Sequence, residues 1–142
     1  MRNDLPIDWR ERVVAEARSW IKTPYHHLAD VKGVGVDCAM LTWRVFSDLG
    51  YIDVPDPRPY PPHWHLHRSE EKYLLNFETW AFPVDEPQPG DIALFRFGRT
   101  VSHSGIVTSP TTMVHSYLGL GCWEDDLRSH QARFHSYWSI TK

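Results

Sequence analysis

The chain has 142 residues and a mass of 16.6 kDa, the size of one domain and enough to bury a core. Hydrophobic residues make up 42% and charged residues 23%, values that exclude a wholly disordered chain, and no apolar run approaches the roughly 20 residues of a membrane helix. The net charge of -3 and the pI of about 6.3 lack the positive excess that nucleic-acid binding draws on.

The N-terminal stretch MRNDLPIDWRERV carries charge but no apolar segment of about 7–15 residues, so no secretory signal is expected and the chain is expected to fold in the cytoplasm. Asp8 followed by Glu11 reads as a capping box. Trp9, Val13, Ala17, Trp20 and Ile21 recur at helical spacing, and Pro24 stops the pattern, which predicts a first helix over 8–22. Residues 23–37, with Pro24, Gly33 and Gly35, read as a loop. Asp37 is a suitable N-cap, Leu41, Val45, Phe46 and Leu49 form a stripe, and Gly50 sits where a C-cap glycine belongs, so a second helix is predicted over 38–49. Five prolines over 53–62 predict a stiff, extended surface excursion, and a third helix is predicted over 69–80.

After Pro89-Gly90-Asp91 the pattern changes. IALFRF, HSGIVTS, TMVHSY and FHSYWSI are strand candidates rich in aromatic and β-branched residues. Helices first and an antiparallel sheet after them define an α+β class, read as one domain over 1–142 with a Pro/His-rich insertion at about 53–68.

Two cysteines, Cys38 and Cys122, are too few for a disulfide framework, which leaves reactive chemistry, a metal site or core filling. Cys38 opens the second helix, where the partial positive charge of the helix start favours a thiolate. From position alone, a small buried hydrophobe capping the helix is the stronger reading. His103 and His115 are 12 residues apart, on two segments joined by a turn around Ser109-Pro110, and lie side by side if those segments pair. Such a pair serves as base and orienter, or as two half-buried sheet histidines. Gly105 lets a neighbouring strand approach closely.

Taken together, these pieces resemble the NlpC/p60 family of papain-like cysteine peptidases. The match rests on Pro24-Tyr25, Asp37-Cys38, Pro89-Gly90-Asp91, His103-Ser104-Gly105-Ile106-Val107 and His115, in that order. The resemblance implies a papain-like α+β fold with N-terminal helices on a C-terminal antiparallel sheet. It implies Cys38 as nucleophile, His103 as general base and His115 as the orienting third member. It also places Tyr25 and Asp37 on the oxyanion or substrate side, and it calls for no cofactor. Asp37 reads physically as a helix N-cap, and the Cys38 N–H is a natural oxyanion donor. Where the family usually has Asp-Cys-Ser-Gly, this chain has Asp37-Cys38-Ala39-Met40. That DCA, and the Pro-rich stretch leading to WHLHRSEE, resemble the form found in tail proteins of long-tailed phages. The expectation is a peptidase acting on the stem peptides of bacterial peptidoglycan, carried in a virion tail with tail-tip partners and no membrane insertion.

His63, His65 and His67 alternate with Trp64 and Leu66 and would share one face of a strand, a candidate Zn²⁺ or Ni²⁺ site. No acidic or cysteine ligand is adjacent, so they read as anchors of the Pro-rich segment or as cleft rim, with no metal expected. His26 and His27 read as exposed loop residues, Cys122 as a packed or partly exposed thiol, and Glu124-Asp125-Asp126 as a solvated acidic turn. Three rival functions remain. One is a structural tail-tip protein with a silent or occluded site. The others are a related Cys–His amidase or acyltransferase, and a metal-dependent hydrolase built on the histidine cluster.

Overall fold

The computed structural model describes residues 4–58, 72–98 and 100–142. The first helix, α1, spans Trp9–Arg18 and buries Val13, Val14 and Ala17. Asp8 makes no side-chain cap, contrary to the capping box expected there; its carboxylate accepts instead from Arg12 Nε at 2.9 Å. The helix also ends before residue 22. Trp20 and Ile21 donate to Ala17 and Arg18 in tighter three-residue turns, and Lys22 turns left-handed at φ 79°. Lys22 N–H then donates to Cys122 O at 2.8 Å, so pairing with a distant strand wins over continuing the helix.

The predicted loop contains a two-stranded antiparallel pair, β1 (Asp30–Val31) and β2 (Gly35–Val36). Helix α2, Cys38–Asp48, follows directly, and the Asp37 carboxylate accepts from Met40 N–H at 2.9 Å, as an N-cap should. Helix α3 spans Lys72–Glu78; residues 69–71 of the predicted third helix, and positions 59–68 of the insertion, lie outside the described residues.

The remaining strands are β3 (Phe82–Val84), β4 (Ile92–Phe97), β5 (Thr100–Ser109), β6 (Thr112–Tyr117), β7 (Gly121–Asp126) and β8 (Phe134–Ser139). They form one six-stranded sheet in the order β3-β8-β4-β5-β6-β7, every pair antiparallel. The architecture is α+β, as the segment order predicts. Glu124-Asp125-Asp126 also departs from the sequence reading: it is the end of strand β7, paired with β6, and not a solvated turn. A 3₁₀ segment, Leu127–Arg133, links β7 to β8.

The main core packs Val13, Ala17, Trp20, Leu41, Val45 and Phe46 of the helical half against Ile92, Leu94, Ile106 and Val114. Ala93, Phe95, Val107 and Met113, their alternating neighbours, form a second cluster with Leu127 of the 3₁₀ segment. Asp91 of the Pro-Gly-Asp turn ties the halves together. Its buried carboxylate accepts from Arg10 Nη1 at 2.8 Å and from Gln88 N–H at 2.9 Å. Removing one partner of a buried pair strands the other's charge. Arg10→Ala is therefore expected to destabilise the fold by about 2–4 kcal/mol, measured by urea unfolding. A loss below about 0.5 kcal/mol would mean that the turn holds without α1.

Candidate active site

The loop before α2 is stitched in place from both sides. Cys122 N–H donates to Thr23 O at 2.8 Å, Val36 N–H to Pro24 O at 3.0 Å, and Ser116 Oγ to Val36 O at 2.7 Å. Gly121 makes the first contact feasible, with φ at +79° and Thr23 O at 2.9 Å from where a Cβ would sit. Tyr25 bridges to Val36, two residues before the cysteine. Burial, then the negative charges of Cys38 and Asp37, push its phenol up, so Tyr25 remains an O–H donor.

Cys38 is the first residue of α2 and is buried. Its carbonyl is held by two hydroxyls, Thr42 Oγ1 at 3.1 Å and Ser104 Oγ at 3.4 Å, which lie 2.8 Å from each other. Its Sγ lies 3.7 Å from Ser102 O, the residue before His103. The first turn of α2 is thus fastened to β5 on both sides of His103.

The structure brings His103 and His115 together. His103 Nε2 lies 2.7 Å from His115 Nδ1, and both rings are buried. Gly105 makes the room: a Cβ there would meet Met113 Sδ at 2.5 Å and His115 Cβ at 3.3 Å. Phe97 and Tyr117 stand edge-on to His103, at 5.4 and 5.5 Å between ring centroids. Burial pushes the His103 imidazole well below its ordinary range, and His115 and His130 push the same way. For His115, burial outweighs the pull of Asp125 and brings it down to about 4. Both rings are neutral at pH 7.

Two residues that the sequence reading passed over complete the cluster. His115 Nε2 lies 3.0 Å from Asp125 Oδ2, and His130 Nε2 lies 2.6 Å from the same oxygen. Asp125 Oδ1 accepts from Asp126 N–H at 2.7 Å. Burial raises the Asp125 carboxyl, but bonds from His130, Asp126 N–H and His115 prevail and hold it below its ordinary value. Asp126 caps the 3₁₀ segment through Arg128 N–H at 2.8 Å and so helps to place His130. Glu124, the third member of the acidic run, pairs with Arg18 at 2.9 Å.

Three ligand atoms of His115, Asp125 and His130 lie within 4.8 Å of one another. Tetrahedral zinc ligands at about 2.0–2.1 Å from the ion stand roughly 3.3 Å apart. The 2.6 and 3.0 Å spacings found here suit shared protons better. His63, His65 and His67 lie outside the described residues. His26 is exposed, whereas His27 is half-buried, with Nδ1 3.8 Å from Asp37 Oδ2. Cys122 is buried in β7, and burial pushes its thiol up to about 12, so it is inert. Among the described residues no helix is long and apolar enough to cross a membrane.

A family model described as NlpC/P60 family matches residues 22–139. The chain belongs to the NlpC/P60 family. Solved structures agree on the fold. The NlpC/p60 domain of the peptidoglycan hydrolase SagA superposes with a TM-score of 0.68 at 17% identity, over 92% of this chain and 97% of that one. An NlpC/P60 protein from Bacillus cereus gives a TM-score of 0.67 at 19% identity over 95% of this chain, and one from Staphylococcus aureus gives 0.70 at 16% over all of it. This chain spans only 41% and 45% of those two longer proteins. No curated protein sequence matches. The family assignment makes this a domain of the cysteine-peptidase and peptidoglycan-hydrolase type.

Proposed function

We propose that this NlpC/P60 domain is a cysteine peptidase that hydrolyses amide bonds in peptidoglycan stem peptides. The observation that carries the reading is a cysteine, Cys38, at a helix start, its Sγ 3.7 Å from the carbonyl of Ser102, the residue before His103, together with a buried His103–His115 pair joined at 2.7 Å.

In this reading Cys38 gives its proton to His103 and attacks the carbonyl carbon as thiolate. The tetrahedral oxyanion is met by the Cys38 N–H and the Tyr25 hydroxyl. His103 returns the proton to the leaving amine as the C–N bond breaks. Water, deprotonated by His103, then cleaves the thioester and frees Cys38. His115 keeps the His103 ring aligned throughout. Asp37 acts as cap, holding the helix start through Met40 N–H and the loop through Leu28 N–H at 2.8 Å.

The setting we propose is a phage tail. Support comes from Asp37-Cys38-Ala39 and from the Pro-rich stretch that leads to WHLHRSEE, both of which resemble tail proteins. The protein would fold in the host cytoplasm, join tail-tip partners and act at the cell wall.

The test is incubation with purified peptidoglycan, wild type beside Cys38→Ala, with released fragments read by mass spectrometry. Fragments from wild type alone are expected, and their masses name the bond. No fragments from folded wild type would turn the reading toward a silent or occluded tail component. Fragments from both would show that the nucleophile is misassigned.

A further inference from the structure

We propose that Asp125, steadied by His130, is a positioning residue that sets the tautomers of His115 and His103 and so leaves His103 Nδ1 as the proton acceptor for Cys38. The inference rests on the peptidase reading for its purpose, but its geometry stands by itself.

A neutral imidazole carries one N–H and one lone pair, and an ionised carboxylate only accepts. His115 Nε2, at 3.0 Å from Asp125 Oδ2, therefore carries the proton. His115 Nδ1 is then a lone pair, and His103 Nε2, 2.7 Å away, must donate to it. That leaves the lone pair of His103 on Nδ1. The chain of donors runs from His103 through His115 to Asp125, and the Cys38 proton enters at its open end. The thiol S–H bond breaks, the His103 Nδ1–H bond forms, and a thiolate and an imidazolium result.

Without an acceptor at position 125 the reversed chain satisfies the His103–His115 bond equally well. It puts the proton on His103 Nδ1, where no further proton fits. A hydrogen bond to a charged acceptor favours the productive chain by about ten- to a hundredfold. His130 makes the acceptor reliable. Its Nε2 donates to the same Oδ2 at 2.6 Å while Asp126 N–H holds Oδ1 at 2.7 Å, so the carboxylate is fastened at both oxygens.

Asp125→Asn separates this role from bulk. Its amide oxygen belongs on Asp126 N–H, because the alternative sets two donors face to face. The NH₂ then points at the Nε2 atoms of His115 and His130, and both become acceptors. His115 must donate from Nδ1, and His103 is forced to carry its proton on Nδ1.

The experiment reads ring ¹⁵N shifts of His103 and His115 at pH 7, together with iodoacetamide alkylation of Cys38. Cys122 stays silent because burial pushes its thiol up to about 12, and peptide mapping reads Cys38 apart from it. Wild type is expected to show N–H at Nε2 on both rings. Asp125→Asn is expected to reverse both and to slow alkylation at least about tenfold, while Asp125→Glu, still an acceptor, keeps the wild-type tautomers. A proton on His103 Nδ1 in wild type overturns the proposal whatever the variants do. So does an Asp125→Asn protein with unchanged tautomers and unchanged alkylation. Reversed tautomers in a protein that never cleaves peptidoglycan would uphold Asp125 and sink the peptidase reading instead.

Discussion

Cys38→Ala and His103→Gln are each expected to lower kcat/KM on a soluble stem-peptide substrate by between about 10⁴- and 10⁶-fold, and the double variant no further. The non-additivity is the informative part. A thiol without its base, or a base without its thiol, makes no acyl-enzyme, so the second loss has nothing left to remove. What remains is the background from oxyanion donors and substrate binding. His103→Gln is chosen because its amide still donates to His115 Nδ1, 2.7 Å from the present ring nitrogen, yet offers no base. Cys38→Ala removes one sulfur and its 3.7 Å contact with Ser102 O and leaves the Asp37 cap of the helix in place, so little fold stability is expected to go with it. Melting temperatures of the variants check that activity is lost for chemical and not structural reasons. If the two losses instead multiplied, Cys38 and His103 would be acting in separate steps, and a single thiolate–imidazole unit would be ruled out.

The part of this site that is legible in sequence is the part made by local rules. Asp37 caps the helix it precedes, and Cys38 follows it, because a short acceptor and an apolar stripe determine a helix start without outside help. His103 and His115 meet because two strands of obvious β composition are joined by a turn of two residues, Pro110-Thr111, between Ser109 and Thr112. Asp125 was not legible. It reaches His115 only through the register of β7 on β6, in which His115 faces Trp123 and Met113 faces Asp125. In a hydrophilic Glu-Asp-Asp run that pairing has no local mark. A signal was present nonetheless: TMVHSY, a glycine-containing turn, then Gly121-Cys122-Trp123 is a hairpin pattern, and extending it carries Asp125 alongside the histidines. The end of α1 failed for a related reason. Nothing near Lys22 announces that its N–H belongs to Cys122 O, exactly a hundred residues on in chain order.

Stability is expected to fall as pH drops from about 6.5 to 4, because the buried histidines refuse protons in the folded state. Burial lowers His115 from 6.5 to about 4 in the folded protein, while the unfolded chain keeps the ordinary value. In that window the unfolded state binds a proton that the native state refuses. Stability therefore rises with pH across it and is lost on acidification. A shift of that size corresponds to about 3 kcal/mol from His115 once pH reaches 4. His103, pushed down further by burial and by its histidine neighbours, adds a loss of the same sign. Asp125 works at the far end: held below its ordinary carboxyl value, it contributes stability that disappears only under stronger acid. Urea unfolding at pH 7, 5.5 and 4.5 measures the slope. His115→Gln removes one titrating group, so its profile should be flatter than that of wild type, and more so than any offset at pH 7. A wild-type profile that is level from pH 7 to 4.5 would mean that the buried pair takes up protons as readily folded as unfolded, and the neutral, tautomer-ordered pair on which the mechanism depends would go with it.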